Sequence, residues 1–310
     1  MPHTLPVRGI VRSIAIAFVC GALSAASVPS PVLTWQAAVD QAARASPASR
    51  ILVLDIATGR LIASHHLSET ARTLAAPGST LKPLVLYSLV AADRWNPDRR
   101  VACDRKLVVA GHRLACTHPP APPFDAREAL AWSCNNYFAQ VASSVAPGTL
   151  GPLLRPTGLL SMTGLAGKAT QTEATAEFRE PTNSESLQLV LLGVQGIRVT
   201  PLELAVAYRW LALQLAAHPD SQASRVVSAA IENSASFGMA RQASQGGVPV
   251  AGKTGTAEGG VSTQSHGWFA GMAPAETPQV VLVVYLPAGR GADAAGVAAQ
   301  LLANSPLRKP

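Results

Sequence analysis

Charged residues are scarce in this chain of 310 residues: Asp, Glu, Lys and Arg make up only 14%, well below the roughly 25% of an average soluble domain. Hydrophobic residues make up 48%, and a low charge with a high apolar content excludes an intrinsically disordered chain. The 25 basic residues outnumber the 18 acidic ones, for a net charge of +7. They are scattered, with Arg99-Arg100 as the longest run, so we expect no nucleic acid among the partners.

Long apolar runs are absent from the sequence after its first thirty residues. Arg8 and Arg12 precede an uncharged segment, residues 13–28, which ends in small side chains. This order is typical of an export signal, and the run is shorter than the about 20 residues of a spanning helix. We therefore expect an export signal or short anchor over residues 1–26, a linker over 27–48 and the folded domain over 49–305. The expected location is the periplasm or the outer face of the cytoplasmic membrane.

Cysteine occurs only four times. Cys103 and Cys116 flank a short hydrophobic stretch that contains a turn, and an exported protein can form a disulfide between them. Two buried free thiols are the alternative. Cys103, Cys116 and His118 lack the close paired spacing of most zinc ligands, so the sequence predicts no metal site.

Turn and capping signals place strands towards both ends of the chain and helices in its middle. The pattern predicts a hairpin over residues 51–63 and paired strands over 267–272 and 280–286. It predicts helices over residues 81–92, 125–145, 200–217 and 292–304. The clearest helix starts combine an N-cap residue with a Glu three positions later, Asp125 with Glu128 and Thr200 with Glu203. This order of elements predicts an α/β sandwich with a helical insertion.

Three short motifs occur in order along the chain: Ser79-Thr80-Leu81-Lys82, Ser133-Cys134-Asn135 and Lys253-Thr254-Gly255-Thr256. The chain has only five Lys, and Lys82 alone has a Ser three residues before it. Ser79 lies in the first turn of a predicted helix, where free backbone N–H groups and the helix dipole favour an oxyanion. Lys82 lies one turn later on the same face, and it can accept the Ser79 proton if burial lowers its pKa.

A fourth pattern is misleading. Residues 247–254 match the phosphate-binding sequence G-x-x-x-x-G-K-[ST]. A phosphate-binding loop follows a buried strand and opens a helix, whereas the residues before the match are polar and those after it have no helical periodicity. We therefore expect no nucleotide site.

Taken together, the three motifs resemble the signature of penicillin-binding transpeptidases of the serine β-lactamase/DD-peptidase superfamily. The similarity extends from about Ile51 to Leu302 and includes the stretches 54–59, 77–83, 196–205 and 266–271. The resemblance implies an α/β (α+β) fold, with an antiparallel sheet flanked by helices and an all-helical subdomain. It implies no cofactor. The implied ligands are the D-Ala-D-Ala end of peptidoglycan stem peptides and β-lactams as inhibitors, with cell-wall synthesis proteins as possible partners.

The resemblance also gives each catalytic residue a role. Ser79 would be the acylated nucleophile and Lys82 its base. Ser133 would relay a proton to the leaving amine, while Asn135 would hold the amide backbone of the substrate. Lys253 would add positive potential.

The third motif would bind the substrate on an edge strand. Thr254 and Thr256 would hold its carboxylate, with Gly255 between them, and the N–H groups of Ser79 and Thr256 would form the oxyanion hole. Cys103 and Cys116, with a His close behind, are similar to a stretch in some family members, which favours the disulfide.

Two other functions remain open: a serine β-lactamase or penicillin sensor, and a catalytically inactive cell-wall scaffold. Cys134 stands where β-lactamases usually carry an acidic residue. A β-lactamase also needs a base to activate water, which class A enzymes supply from a Glu-x-x-Leu-Asn segment. Here Glu180-Pro181-Thr182-Asn183 is one residue short and lacks the Leu. We interpret it as a solvated acidic loop, and we expect the penicilloyl-Ser79 adduct to persist for many minutes.

Overall fold

A computed structural model of the chain describes residues 1–3, 34–167, 173–258 and 264–308. The expected export signal, apart from residues 1–3, lies outside the described residues. Residues Leu33–Pro310 form one compact unit. In the described ranges, no helix is both long and apolar enough to cross a membrane.

The strands form one large sheet and two short ribbons. In chain order they are β1 (Arg50–Asp55), β2 (Leu61–His65), β3 (Val108–Val109), β4 (His112–Arg113), β5 (Glu177–Phe178), β6 (Ile197–Arg198), β7 (Ala251–Glu258), β8 (Ser265–Ala273) and β9 (Val280–Leu286). The large sheet is antiparallel with the order β2-β1-β9-β8-β7, and β3-β4 and β5-β6 pair separately. The predicted hairpin and the predicted pair of late strands are therefore confirmed.

The helices are α1 (Trp35–Ala45), α2 (Leu67–Arg72), α3 (Lys82–Ala91), α4 (Ala126–Ala131), α5 (Asn135–Ala142), α6 (Leu150–Leu154), α7 (Ser184–Leu191), α8 (Pro201–Ala217), α9 (Gln222–Ser236) and α10 (Gly291–Ala303). Short 3-10 turns span Gly78–Leu81, Arg155–Thr157 and Arg241–Gly246. Three predicted helices are confirmed as α3, α8 and α10, and the capping box of α8 forms as expected. The antiparallel sheet flanked by helices is also confirmed.

Two hydrophobic cores cover the two faces of the sheet. Successive side chains of a strand point to opposite faces, so on β9 Val281 and Val283 join one core while Leu282 and Val284 join the other. The first core contains the helices from α3 to α9, and the second contains α1 and α10. Because β9 is buried at every position, its unbroken apolar sequence matches its place inside the sheet.

The single helix predicted over residues 125–145 is wrong. The capping box of Asp125 and Glu128 does form, but the helix stops at Ala131 and restarts at Asn135. Ser133 between them has a φ of 59°, in the left-handed region that costs a non-glycine residue about 1–2 kcal/mol. Strained backbone of this kind is found where the surrounding structure enforces it, and here it separates α4 from α5 at the second motif.

Candidate active site

The chain that leads into the turn of Ser79 is held by the central sheet. Ser79 lies in the 3-10 turn before α3 and is half-buried. Three residues earlier, the carbonyl of Ala76 accepts hydrogen bonds from Nε1 of Trp268 and Nε2 of His266, both at 3.0 Å. Both donors lie on β8, so the central sheet holds the chain that leads to Ser79. The resemblance marks this stretch of β8 as family-like, but no sequence pattern indicates its contact with Ala76.

Lys82 joins the first motif to the second. Its side chain is fully buried, and Nζ donates to Oδ1 of Asn135 at 2.7 Å and to the carbonyl of Ser133 at 3.0 Å. The hydroxyl of Ser133 lies 3.5 Å from Nζ, and the ring of Phe138 lies 5.0 Å away, centroid to Nζ. Burial lowers the pKa of Lys82 to about 8, and nearby thiol groups partly oppose this shift. The lowered pKa that the sequence interpretation requires is therefore present.

Asn135 is held at both ends of its side-chain amide. Its Oδ1 accepts from Lys82, while its Nδ2 donates to the carbonyl of Leu114 at 3.0 Å. Its backbone N–H, at the start of α5, donates to Sγ of Cys116 at 3.0 Å. The second motif is thus fixed to the base on one side and to residues 114–116 on the other.

The third motif lies on β7, which is an edge strand of the sheet as expected. Residues 247–254 do not open a helix, because β7 begins at Ala251, so they lack the helix start on which a phosphate-binding loop depends. Lys253 is fully buried, and its Nζ donates to the carbonyl of Thr254 at 3.0 Å. Burial lowers the pKa of Lys253 well below its usual value, and the charge of Lys82 adds to the effect.

Gly255 allows the first and third motifs to pack together. A Cβ at Gly255 would lie 2.6 Å from the carbonyl oxygen of Pro77, and a Cβ at Gly78 would lie 3.0 Å from the carbonyl oxygen of Thr256. Real Cβ atoms essentially never show the first distance, and the second is tighter than nine in ten of their contacts. The turn of Ser79 therefore packs directly on the backbone of Gly255 and Thr256, which brings the expected oxyanion-hole residues together.

The two threonines of this motif differ in exposure. Thr256 is exposed, and its Oγ1 accepts from the N–H of Gly291 at 2.9 Å. Thr254 is only 6% exposed, and its hydroxyl donates to the carbonyl of Met239 at 3.4 Å. Of the two residues expected to bind a carboxylate, Thr256 is the one open to a ligand in this structure.

Comparison with known proteins identifies the fold and the family. The family described as "Penicillin binding protein transpeptidase domain" matches residues 50–306. This chain belongs to that family. The fold is similar to a peptidoglycan glycosyltransferase from Burkholderia ambifaria, with 20% identity, 88% of this chain and 96% of that chain covered, and a TM-score of 0.72. It is also similar to the TP domain of penicillin-binding protein 3 from Burkholderia pseudomallei, with 20% identity, coverage of 86% and 91%, and a TM-score of 0.73. A third similar structure is the D,D-transpeptidase domain of a peptidoglycan glycosyltransferase from Eggerthella lenta. It shares 19% identity, with 87% of this chain and 80% of that chain covered, and a TM-score of 0.70.

In this penicillin-binding transpeptidase domain the carboxylate of Glu180, in the acidic segment after α6, binds a helix start, contrary to the expected free carboxylate of a solvated loop. Glu180 accepts hydrogen bonds from the N–H groups of Leu150 and Gly151, at 3.1 and 2.9 Å, at the start of α6. Asn183 caps α7 by accepting from the N–H of Ser186 at 2.8 Å. Glu180 and Asn183, the two residues that resemble a water-activating motif, therefore both bind N–H groups at helix starts.

The cysteines of this transpeptidase domain lie together beside the second motif. Sγ of Cys103 and Sγ of Cys116 are 3.6 Å apart, beyond the about 2.05 Å of a disulfide bond, and both are free thiols. A disulfide between them stays a prediction. Cys134 Sγ lies 3.9 Å from Cys116 Sγ, and His118 Nε2 lies 3.5 Å from Cys103 Sγ. The four ligand atoms lie within 4.8 Å of one another, so the spacing argument against a metal site does not hold in the folded chain.

Proposed function

We propose that this domain is an active D,D-transpeptidase that forms an acyl-Ser79 intermediate with the D-Ala-D-Ala end of peptidoglycan stem peptides. β-Lactams acylate the same serine in this proposal. The main support is Lys82: it is buried one helical turn after Ser79, its pKa is lowered to about 8, and it contacts both polar residues of the second motif.

Acylation begins with the neutral form of Lys82. The Ser79 hydroxyl gives its proton to the Lys82 amine as its Oγ attacks the carbonyl carbon of the terminal D-Ala-D-Ala amide. Negative charge develops on the carbonyl oxygen, and the N–H groups of Ser79 and Thr256 stabilise it. The contact of the Ser79 turn with the backbone of Thr256 supports this pairing of donors.

The leaving amine then receives a proton through Ser133. Its hydroxyl lies 3.5 Å from Lys82 Nζ, close enough to pass on the proton that Lys82 took from Ser79. As the C–N bond breaks, the amine of the departing D-Ala gains the Ser133 proton, and Ser133 regains one from Lys82. Asn135 keeps Lys82 oriented through the 2.7 Å hydrogen bond.

The carboxylate of the substrate binds near Thr256 and Lys253. The low pKa of buried Lys253 disfavours its charged form in the free domain. An entering carboxylate favours that charged form, since an opposite charge raises the pKa of an amine.

Deacylation transfers the acyl group to an amine acceptor or to water. A β-lactamase would need a carboxylate free to activate water, but Glu180 is bound to the start of α6. Glu173 is bound to the N–H groups of Thr163 and Gly164, at 2.7 and 3.0 Å. These contacts favour a long-lived penicilloyl adduct over rapid hydrolysis.

The substrate places this activity outside the cytoplasm, where peptidoglycan lies. In this proposal residues 1–26 direct export and residues 49–305 form the catalytic domain, with α1 from the expected linker packed in its second core. The domain acts in the periplasm or at the outer face of the cytoplasmic membrane. A cell-wall synthesis protein is a reasonable partner: one similar structure is a complex of penicillin-binding protein PBP2 with MreC from Helicobacter pylori, at 16% identity and a TM-score of 0.73.

The test is covalent labelling with a fluorescent penicillin. The purified chain should gain one penicilloyl group, which peptide mass spectrometry locates at Ser79. Ser79→Ala should gain none, and the matched control Ser161→Ala, at an exposed serine, should label normally. A folded wild-type chain that takes up no label would support the inactive scaffold, and labelling of Ser79→Ala at another serine would contradict the assignment.

A further inference from the structure

We propose that Cys103, Cys116, His118 and Cys134 form a closed four-ligand site for a thiophilic divalent ion, Zn²⁺, and that the ion joins residues 103–118 to the second catalytic motif. The inference is independent of the acyl-transfer chemistry, because it rests on the arrangement of these four side chains. Three sulfurs and one imidazole nitrogen are a donor set typical of structural zinc sites.

Three of the six distances between the four ligand atoms match a tetrahedron around zinc, and all six are within 4.8 Å. With Zn–S bonds of about 2.3 Å and a Zn–N bond of about 2.05 Å, tetrahedral geometry requires about 3.8 Å between sulfurs and about 3.6 Å between sulfur and nitrogen. The structure gives 3.6 Å from Cys103 to Cys116, 3.9 Å from Cys116 to Cys134 and 3.5 Å from Cys103 to His118. Small shifts would therefore suffice to bind the ion.

His118 is oriented as a ligand. Its Nδ1 lies 2.7 Å from the carbonyl of Pro119, and since a carbonyl only accepts, Nδ1 carries the proton. The lone pair of Nε2 then faces Sγ of Cys103. Metal-binding histidines usually donate their second ring nitrogen to a carbonyl or carboxylate in this way. His118 is 1% exposed, so the imidazole is held inside the cluster.

The surroundings also suit a thiolate. Sγ of Cys116 accepts the backbone N–H of Asn135 at 3.0 Å, and such N–H···S contacts stabilise a sulfur that carries negative charge. Cys116 and Cys134 are buried, while Cys103 is half-buried, which leaves an entry path on one side. With four protein ligands no position remains open for substrate, so the ion has a structural role.

The ion would connect two separate segments of the chain. Cys134 ends the break between α4 and α5, whereas the other three ligands lie on the segment around β3 and β4. The same segment supplies the carbonyl of Leu114 to the side chain of Asn135. Metal binding would therefore fix the loop that orients Asn135 and, through it, Lys82.

Metal binding and a Cys103–Cys116 disulfide exclude each other. Exchange with an added disulfide, RS–SR, oxidises the two thiols, forms the protein S–S bond and releases two RSH molecules. The bond shortens the 3.6 Å separation to about 2.05 Å and removes two of the four ligands. The oxidised chain would keep only His118 and Cys134, too few to hold the ion.

The test uses the full chain, reduced and kept free of oxygen, with Co²⁺ as a spectroscopic probe for Zn²⁺. One equivalent of Co²⁺ should produce sulfur-to-cobalt charge-transfer absorption and the visible bands of a tetrahedral ion, and Zn²⁺ should abolish both. Cys134→Ser should lose about one-third of the charge-transfer intensity, because one of three Co–S bonds is gone. Ser161→Ala, at an exposed serine outside the cluster, is the control and should bind normally.

A second measurement needs only the wild-type chain. Zn²⁺ should protect Cys103, Cys116 and Cys134 from alkylation, read by peptide mass spectrometry. Treatment with oxidised glutathione should link Cys103 to Cys116 and abolish Co²⁺ binding. Absence of tetrahedral Co²⁺ bands in the reduced chain would overturn the proposal, as would full charge-transfer intensity in folded Cys134→Ser or in the oxidised chain.

Discussion

The burial of Lys82 makes acylation depend on pH in a way that can be calculated. Lys82 accepts the Ser79 proton only in its neutral form, and its pKa is about 8 rather than the usual 10.5. The neutral fraction is then about 1% at pH 6, half at pH 8 and about 90% at pH 9. The acylation rate constant should rise about tenfold per pH unit below pH 7 and level off above about pH 8.5.

The assay measures the second-order rate constant for acylation by a fluorescent penicillin between about pH 6 and pH 9. Lys82→Met removes the base, so the rate should fall on the order of 10²–10⁴-fold at pH 8, and the rise with pH should disappear. Circular dichroism at each pH checks that both proteins stay folded. A wild-type rate that is flat from pH 6 to 8, or the same slope in Lys82→Met, would refute the role of Lys82 as base.

Three further predictions concern the contacts around the site. Glu180→Gln should lower the free energy of unfolding, measured in urea, by about 1–2 kcal/mol, yet leave the lifetime of the penicilloyl adduct unchanged. A longer lifetime would show that Glu180 activates water. Gly255→Ala should abolish labelling, because its Cβ would lie 2.6 Å from the Pro77 carbonyl oxygen. The control Gly296→Ala on α10, whose Cβ would make only an ordinary 3.8 Å contact with Oε1 of Gln242, should label normally. Trp268→Phe removes one of two hydrogen bonds to Ala76, so the free energy of unfolding should fall by about 1 kcal/mol and acylation should slow. An unchanged acylation rate would show that this bond does not position Ser79.

Helices and strands that are determined by residues close together in the chain could be predicted from the sequence. The helix α8 starts at Thr200 because its hydroxyl and Glu203 satisfy the free N–H groups of the first turn. The strand β9 was evident from an apolar run too short for a helix of the core and rich in β-branched residues. The three motifs were found because their residue types and order are distinctive, although no local property brings them together.

Contacts between distant segments account for what the sequence did not show. Nothing in Trp132-Ser133-Cys134 signals a helix end: the stretch contains neither Gly nor Pro. Cys134 could not be grouped with His118 from the sequence, because the two residues are brought together by the break between α4 and α5, which the sequence does not indicate. Glu180 was interpreted as solvated since its partners, the first N–H groups of α6, lie thirty residues earlier in the chain.

The break at Ser133 links these findings. An unbroken helix would place residues 133 and 135 about 200° apart around its axis, so they could not both contact one amine. In the left-handed turn, the carbonyl of Ser133 and the side chain of Asn135 both bind Lys82, while Cys134 between them lies against Cys116. The strain of about 1–2 kcal/mol is offset by hydrogen bonds to a buried amine, which would otherwise lack partners. The left-handed backbone at Ser133 therefore provides hydrogen-bond acceptors for the buried Lys82 amine. Its conformation could be inferred only once the three motifs were seen in one place.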